Sequence, residues 1–411
     1  MKTLLIIGHT FPEPTTTAAG SRMMQLISLF EKDNYKIVFS STASFSDKSI
    51  TFKNTSIEVK SIQLNNASFD DFIKKLKPTI VLFDRFITEE QFGWRVAENC
   101  PEALRILDTE DLHFLRKARQ EVVKKNQELN LFSETAKREI ASIYRCDVSL
   151  IISEFEMQLL QETFKINASL LFYLPFIVDQ MEVDSLQKLP TFEERNHFIT
   201  IGNMLHAPNV DSVLYIKKEV WPEIKKQIPK AEIHIYGAYA PQQILEMHAP
   251  KDGFLIKGWA TNVSEVMKSA RVCLAPLRFG AGLKGKFIDA IKNGTPAVTT
   301  KIGAEGISGD LSFSGVISDD VNEIIKESIS LYTNKDTWLE AQQKGIAIIN
   351  HRFNRELYSE RFRSLLDNLL KNKDHHRNQN FIGQILQTQK LRATKYMSMW
   401  IEEKNKTSNK C

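Results

Sequence analysis

The sequence predicts an α/β protein made of two doubly wound halves that face each other across a cleft. Short apolar, β-branched runs alternate with amphipathic helical segments, and this rhythm begins at the first residues. It breaks at a polar stretch, residues 179–196, and then restarts. The length of 411 residues also exceeds a typical domain of about 100–200 residues. We therefore predict two domains joined by a linker at 179–196.

The first domain, residues 1–178, is predicted to contain a parallel sheet with helices on both faces. A charged stretch with few helix breakers, residues 114–145, is expected to form one long helical segment. The predicted strands are Thr3–Gly8, Lys36–Ser41, Thr79–Asp84, Leu104–Asp108, Val148–Ser153 and Leu170–Leu174.

The second domain, residues 197–375, repeats this pattern, and a polar stretch at 371–380 is expected to end it. Residues 381–403 are predicted to form a C-terminal helix that crosses back to the first domain. The apolar residues expected to pack there are Ile382, Ile385, Leu386, Tyr396, Trp400 and Ile401. The predicted strands are His197–Ile201, Glu232–Tyr236, Phe254–Lys257, Val272–Ala275, Ala297–Thr299 and Gly315–Ile317.

Charge and cysteine content narrow the classes of function and the compartment. The net charge of +4 is too small to indicate a nucleic-acid partner. The four cysteines form no C-x-x-C pair, which argues against a zinc or disulfide scaffold and indicates a reducing compartment. Residues 371–411 hold nine Lys/Arg against three Asp/Glu. We expect a cytoplasmic protein whose basic tail, including Lys390, Arg392 and Lys395, contacts acidic lipid on the inner face of the cytoplasmic membrane.

A glycine loop in the second domain is the strongest chemical signal. The loop Arg278–Leu283 carries Gly280 and Gly282 between a buried strand and a helix. Such a loop exposes backbone N–H groups at the positive end of the helix dipole. Arg278, Lys284 and Lys286 add three cations, so a diphosphate is the predicted ligand. The alternative is a tight structural turn with solvated lysines.

Asp289 lies one helical turn after the loop. Side chains on a helix lean toward its N-terminus, so the carboxylate is expected to point back at the ligand and accept two sugar hydroxyls. Ribose of a nucleoside diphosphate fits this role. No P-loop or dinucleotide fingerprint is present, and no DxD-like pair stands beside the loop. We expect neither a metal nor another cofactor.

The same stretch resembles the donor site of GT-B glycosyltransferases of family 4, the "group 1" type. Asp289 matches the second Glu of their E-x7-E motif, and residues 294–298 (GTPAV) match the strand entry that follows. Ala281 stands where the first Glu is expected, which indicates a sub-branch that lacks it. The resemblance covers nearly the whole chain and implies two Rossmann-like domains and retention at the anomeric carbon.

The resemblance also implies roles for individual residues of the donor site. Gly258 and Trp259 are expected to border the nucleobase. Arg278 and Lys284 are expected to stabilise the departing diphosphate, together with the backbone of the loop. The residues predicted to bind the nucleotide and diphosphate are Gly258, Trp259, Gly280, Ala281, Gly282, Leu283, Lys284 and Asp289.

In the first domain, residues 18–21 resemble the family's N-terminal glycine turn, and Gly20, Ser21 and Arg22 are expected at the cleft. A cation opposes the dipole at a helix start unless an anion is bound, so Arg22 is predicted to contact phosphate or acceptor rather than remain an exposed charge. Asp84 and Arg85 follow a strand end, where ligands bind, and are acceptor-site candidates.

His113 is the histidine that the resemblance assigns to the donor sugar or leaving group. The alternative for His113 is an incidental position near a helix N-cap. His113, Arg278 and Lys284 are the predicted catalytic residues.

The function implied is transfer of a sugar from a nucleoside-diphosphate donor to a glycan, protein or lipid-linked acceptor. Cell-surface glycan, polysaccharide or glycoprotein biosynthesis is the expected setting. Two alternatives stay open: a sugar-nucleotide epimerase or hydrolase on the same fold, and a catalytically degenerate binding subunit.

Overall fold

The computed structural model describes residues 2–52 and 55–408, apart from the side chains at 183, 389–394, 407 and 408. Within these ranges the chain forms two α/β domains, each built on a parallel sheet. The predicted fold class is confirmed. Both sheets are covered on both faces, which explains why their central strands read as continuous apolar runs.

The first sheet has the order β3-β2-β1-β4-β5-β6-β7 in the described part of the chain, so the strand order reverses between β1 and β4. Its strands and helices are β1 (Thr3–Gly8), α1 (Ala18–Lys32), β2 (Lys36–Ser41), β3 (Glu58–Ser61), α2 (Ser68–Leu76), β4 (Ile80–Asp84), α3 (Arg85–Asn99), β5 (Leu104–Asp108), α4 (His113–Lys125), α5 (Glu134–Arg145), β6 (Val148–Ile151), α6 (Glu154–Glu162) and β7 (Leu171–Tyr173).

The second sheet has the order β10-β9-β8-β11-β12-β13, with its reversal between β8 and β11. Its elements are β8 (Asn196–Ile201), α7 (Ala207–Tyr215), α8 (Trp221–Gln227), β9 (Ile233–Tyr236), α9 (Gln242–Leu245), β10 (Phe254–Gly258), α10 (Val263–Ser269), β11 (Ala270–Ala275), α11 (Gly285–Lys292), β12 (Ala297–Thr299), α12 (Lys301–Ala304), β13 (Gly315–Ile317), α13 (Val321–Thr333) and α14 (Lys335–Arg352). Two long helices follow, α15 (Arg355–Gln379) and α16 (Phe381–Ser408).

Two local predictions are corrected. The segment 114–145 is two helices, because α4 ends at Asn126 in a left-handed conformation (φ 51°) and Ser133 caps α5. The edge strand β3 was missed, because all four of its residues are exposed and give no apolar run.

The return to the first domain begins earlier than predicted. Tyr358, Phe362, Leu366 and Leu369 of α15 belong to the same buried cluster as Leu4 of β1. The polar stretch 371–380 is helical to Gln379, after a kink at Asn372 (φ −114°, ψ 20°). The second domain therefore ends near Arg355, where the segment that crosses to the first domain begins. The predicted C-terminal boundary of the second domain, residue 375, lies inside this crossing segment.

The helix α16 contacts α3 and α5 of the first domain, but through polar side chains. Glu402 accepts a hydrogen bond from Arg95 (Oε1–Nη2, 2.6 Å), and Ser398 donates one to Asn65 (Oγ–Oδ1, 2.7 Å). Lys395 pairs with Glu98 (Nζ–Oε1, 3.0 Å).

The predicted apolar packing of α16 is wrong for several residues, since Ile382, Ile385, Tyr396 and Trp400 are exposed. The side chains of Lys390 and Arg392 lie outside the described part. Among the described helices, none is long and apolar enough to cross a membrane.

Candidate functional site

A cavity of about 630 Å³ lies between the two domains at the carboxyl ends of both sheets. The loops that follow β1, β4, β8 and β11 line it, which is where a doubly wound sheet binds its ligand. The predicted site residues on its walls are Ser21, Arg85, His113, Trp259, Gly280, Ala281, Leu283, Lys284 and Asp289.

The glycine loop approaches the first domain closely at Gly282. Its φ of 62° is left-handed, and a Cβ built there would lie 2.8 Å from the Cβ of Asp111. The backbone N–H of Gly282 donates to Glu156 of the first domain (N–Oε1, 2.8 Å). The loop is therefore a contact between the domains as well as a wall of the cavity.

Two lysines at the start of α11 face the cavity. Lys284 precedes the helix, and its Nζ donates to the carbonyl of Gly282 at 2.8 Å. The Nζ of Lys286 donates to Oδ1 of Asn209 at 2.8 Å. Burial lowers the pKa of each ammonium to about 8. The nearest carboxylate oxygen among the described residues, Oε1 of Glu305, lies 3.9 Å from Nζ of Lys284, so an incoming anion would stabilise both charges.

Asp289 follows the two lysines on the same helix and lines the same cavity. Burial raises the pKa of this carboxyl to about 6, and Lys292 opposes the shift. Among the described residues, no side chain or backbone group donates a hydrogen bond to the carboxylate. Its oxygens are therefore available to ligand hydroxyls.

Arg278 does not line the cavity, and its predicted catalytic position is corrected. Its guanidinium binds Asp211 of α7 at both oxygens (Nε–Oδ2, 2.8 Å; Nη2–Oδ1, 2.6 Å) and lies over the ring of Tyr215. Lys124 of the first domain pairs with the same carboxylate. The charge of Arg278 is thus already matched outside the cavity.

Arg22 is corrected as well. It is fully buried, and its Nε and Nη2 bind Asp108 while Nη1 donates to the carbonyl of Leu174 at 2.7 Å. This buried ion pair ties α1 to β5 and matches the charge of Arg22 within the first domain. Gly20 is also not part of a turn, because it lies inside α1, where its N–H donates to the capping Thr17 (N–Oγ1, 2.8 Å).

Ser21 and Arg85 reach the cavity, and Asp84 lies beside Arg85. Asp84 accepts a hydrogen bond from the backbone of His9 (Oδ2–N, 2.9 Å) and lies 3.7 Å from Nη1 of Arg85. Arg85 adopts a left-handed φ of 71°, a strained conformation for a residue with a side chain. The Oγ of Ser21 donates to the carbonyl of Pro14.

His113 begins α4 and faces the cavity from the first domain. Its ring meets Phe86 edge-on at 5.4 Å between centroids, and Nε2 lies 3.4 Å from Oδ1 of Asp111. Burial lowers the pKa of His113 to about 4 although Asp111 opposes the shift, so the imidazole is neutral at pH 7. A neutral ring can donate one hydrogen bond and accept one.

Trp259 closes one end of the cavity. Its Nε1 donates to the carbonyl of Thr15 across the cleft at 3.2 Å, and the ring is 40% exposed. Gly258 precedes it with φ 74° and does not line the cavity. Of the two residues expected to border the nucleobase, Trp259 therefore lines the cavity and Gly258 does not.

Sequence reasoning missed several ionisable residues on the walls, among them Glu110, Arg116 and His206. Glu110 has a left-handed φ of 62°, and burial beside Asp108 raises its pKa well above the usual range. His206 follows β8, and burial lowers its pKa to about 4. The signal available in the sequence was position alone, since each of these residues lies beyond a strand end.

Residues 195–334 match the family model described as glycosyl transferases group 1. The matched segment lies within the second domain apart from its first residues. It contains the glycine loop, both cavity lysines and Asp289. No curated protein sequence matches the chain.

Solved structures show that the chain has the GT-B fold. Sucrose-phosphate synthase from Thermosynechococcus elongatus is 12% identical with a TM-score of 0.69, over 90% of this chain and 100% of that one. HepE from Anabaena, solved with UDP and glucose, is 11% identical with a TM-score of 0.66, over 90% and 100%. S. aureus TarM, a variant solved with UDP, fondaparinux and alpha-GlcNAc-glycerol, is 15% identical with a TM-score of 0.57, over 72% of this chain. The chain spans 57% of the length of TarM.

Proposed function

We propose that this protein transfers a sugar from a nucleoside-diphosphate donor to an acceptor, with the diphosphate at the start of α11. The observation that carries the proposal is the pair Lys284 and Lys286, two cavity ammonium groups without a hydrogen-bonded carboxylate. The helix dipole and the loop N–H groups add positive potential at the same place. HepE and TarM, which share the fold, were both solved with UDP.

The chemistry assigned to these groups is stabilisation of the leaving diphosphate. Negative charge grows on the diphosphate as the bond to the sugar breaks, and donors already held in place stabilise it. Lys284 and Lys286 would supply this charge without a metal or another cofactor. Undiminished transfer in excess chelator is the expected result, and loss restored by Mg²⁺ or Mn²⁺ would contradict this part.

His113 and Asp289 would orient the donor on opposite sides. Asp289 would accept the ribose hydroxyls, and neutral His113 would bind the sugar or the leaving oxygen. Ala281 carries no carboxylate and packs with apolar residues of the first domain, so the sugar hydroxyls depend on other groups. Retention at the anomeric carbon stays a prediction, and NMR of the initial product would determine it.

The assignment of Lys284 is tested by ligand-induced stabilisation, since a ligand raises the melting temperature by mass action. UDP, GDP, ADP and TDP are compared on the wild type and Lys284→Ala. At least one of them should stabilise the wild type, and the variant should bind it about 10- to 100-fold more weakly, as roughly 1.5–3 kcal/mol is lost with a charged hydrogen bond. Lys301→Ala, at a lysine 80% exposed, is the control and should bind normally. Equal affinity in the two variants would contradict the assignment.

Product analysis separates transfer from the two other functions. An epimerase or hydrolase would convert or cleave the donor at full rate without an acceptor. A degenerate binding subunit would bind the nucleotide and consume no donor. Acceptor-dependent release of the diphosphate supports a transferase.

We also propose that the acceptor lies at an acidic membrane surface reached by α16. Tyr396 and Trp400 are exposed four residues apart, with Met397 and Met399 exposed beside them. Tyr and Trp favour the membrane interface, and the C-terminal segment 371–411 is basic.

Sedimentation with vesicles tests this contact. Binding to vesicles containing phosphatidylserine, much weaker binding to neutral ones and loss in Trp400→Glu are expected. Phe132→Glu, at a phenylalanine of the first domain that is 67% exposed, should bind normally. Equal binding of the two variants would contradict the membrane proposal and leave the transferase proposal untouched.

A further inference from the structure

A second cavity of about 340 Å³ lies at the opposite edge of the first sheet. It is lined by Arg105, the second residue of β5, and by Asp147, which immediately precedes β6. These positions are the amino ends of the strands, whereas the donor cavity lies at the carboxyl ends. The other wall is the junction of α15 and α16, including Arg377 and Gln384.

Arg105 is a buried cation without a matched partner. Arg105 is 7% exposed. Its guanidinium makes no hydrogen bond with any described residue, and its Nε atom is buried without a partner. The nearest carboxylate oxygen is Oδ2 of Asp147, 3.9 Å from Nε, which is beyond hydrogen-bond distance. Burial is the largest cause that lowers the pKa of Arg105.

The carboxylate of Asp147 does not neutralise the charge of Arg105, because it already accepts hydrogen bonds from other donors. Arg377 binds both of its oxygens (Nε–Oδ1, 2.6 Å; Nη2–Oδ2, 2.8 Å). The backbone N–H of Arg105 donates to Oδ2 as well, at 2.8 Å. The Asp147 carboxylate is therefore bound mainly by Arg377 and by the backbone N–H of Arg105, and not by the Arg105 guanidinium.

Arg145 also lines this cavity and has one buried donor without a partner. Its Nε and Nη2 bind Glu89, and its Nη1 is buried without a partner. Besides Asp147, the lining carries one more carboxylate, that of the exposed Asp374. With Glu89, which binds Arg145, these carboxylates equal the three arginines of the lining in number, but Asp147 is bound by Arg377 and Asp374 is exposed, so the Arg105 guanidinium is left without a hydrogen-bonded carboxylate.

We propose that this cavity is a binding site for a small phosphate-bearing anion, held by the guanidinium of Arg105. A planar guanidinium offers paired N–H donors that match phosphate oxygens. The volume accommodates a phosphate group with a small organic substituent. Because one wall belongs to the α15–α16 junction, the bound anion fastens this junction to the first domain.

Without a bound anion, the buried charge of Arg105 lowers the stability of the fold, and a bound anion removes this loss. A buried guanidinium without a partner destabilises the fold, and an apolar side chain of similar size does not. Arg105→Met should therefore melt no lower than the wild type in chloride buffer. This distinguishes a ligand-binding arginine from a structural one, whose removal would lower the melting temperature.

The test is a titration with inorganic phosphate at constant ionic strength, read by melting temperature in wild type, Arg105→Met and Lys284→Ala. Phosphate should raise the melting temperature of the wild type and of Lys284→Ala, whose donor site is impaired. Arg105→Met should lose most of this rise. Arg138→Met, at an arginine paired with Glu90 on the surface, should keep it.

Two further arms complete the experiment. Arg105→Lys keeps the charge but not the paired donors, so phosphate affinity should fall at least about fivefold even if the methionine variant folds poorly. Glycerol 3-phosphate should bind at least as tightly as phosphate, and tighter binding would identify a phosphorylated metabolite rather than free phosphate as the ligand. An unchanged phosphate response in both Arg105 variants, or no response in the wild type, would overturn the proposal.

Discussion

At the residue scale, the ionisation of two lysines controls the candidate donor site. The pKa of Lys284 and of Lys286 is about 8 in the folded, unliganded protein, below the ordinary value of 10.5, because burial disfavours the charge. The unfolded chain therefore holds these protons more tightly than the folded one. Stability of the unliganded protein should rise as pH increases from about 8 to 10.5 through these two groups.

Binding of a diphosphate should show the opposite trend with pH. The ligand needs both ammonium groups charged, so its affinity should fall as pH rises above about 8. Calorimetric titration of the preferred nucleoside diphosphate between pH 6.5 and 9.5 measures this, because the ligand is fully ionised over most of the range. An affinity that stays constant to pH 9.5 would show that these lysines do not hold the diphosphate.

Asp289→Asn tests whether this carboxylate binds ribose. The pKa of Asp289 is raised to about 6, so ionising it destabilises the fold as pH rises from 3.8 through 6. Asparagine removes that charge, and the variant should be at least as stable at pH 7. Its affinity for the nucleoside diphosphate should fall while its affinity for pyrophosphate changes little. Equal losses for the two ligands would exclude a role in binding ribose.

At the element scale, the glycine loop depends on a close approach that only glycine allows. Gly282 has a left-handed φ, and an added Cβ would lie 2.8 Å from the Cβ of Asp111. Gly258 has a comparable φ of 74°, but an added Cβ there would meet nothing within 4 Å. The two positions therefore separate backbone strain from steric exclusion.

Gly282→Ala should reduce the free energy of unfolding by clearly more than Gly258→Ala. Strain alone costs roughly 1–2 kcal/mol at each position. The clash with Asp111 adds to this at Gly282 and pushes the loop away from the first domain. Chemical denaturation of both variants provides the comparison. A Gly282 variant no less stable than the Gly258 variant would show that the approach is not tight.

Elements with a strong local pattern were predictable from the sequence, and partners distant along the chain were not. The buried parallel strands were found because burial on both faces produces uninterrupted apolar runs. Arg22 and Arg278 were misassigned because their carboxylate partners, Asp108 and Asp211, lie 86 and 67 residues away. Lys284 and Lys286 do line the cavity, because their position directly after the glycine loop follows from the local sequence, while their role in binding a diphosphate stays a prediction. The polar docking of α16 contradicted its apolar pattern, since propensity does not determine which face a helix buries.

At the scale of the whole molecule, hydrogen bonds and ion pairs of individual side chains join the two domains across the cleft. Arg119 of α4 binds Glu305 of the second domain at both oxygens (Nη1–Oε1, 3.0 Å; Nη2–Oε2, 2.7 Å) and donates to the carbonyl of Gly280. Glu156 of α6 accepts the N–H of Gly282. These contacts hold the glycine loop against the cavity wall that carries His113.

Arg119→Ala should loosen this closure without removing the diphosphate contacts. The expected result is a larger radius of gyration by small-angle X-ray scattering and a lower rate of transfer. Affinity for the nucleoside diphosphate should change by less than about threefold, because Lys284, Lys286 and Asp289 all belong to the second domain. Unchanged scattering together with unchanged transfer would show that Arg119 does not control the cleft.

The central claim is that the diphosphate of a sugar donor binds at the start of α11. A crystal structure with the nucleoside diphosphate that stabilises the protein most tests it directly. The account predicts phosphate oxygens at about 3 Å from Nζ of Lys284 and from N–H groups of the glycine loop, with the ribose hydroxyls on Asp289. A diphosphate bound away from Lys284 and Lys286, or a ribose facing away from Asp289, would contradict it.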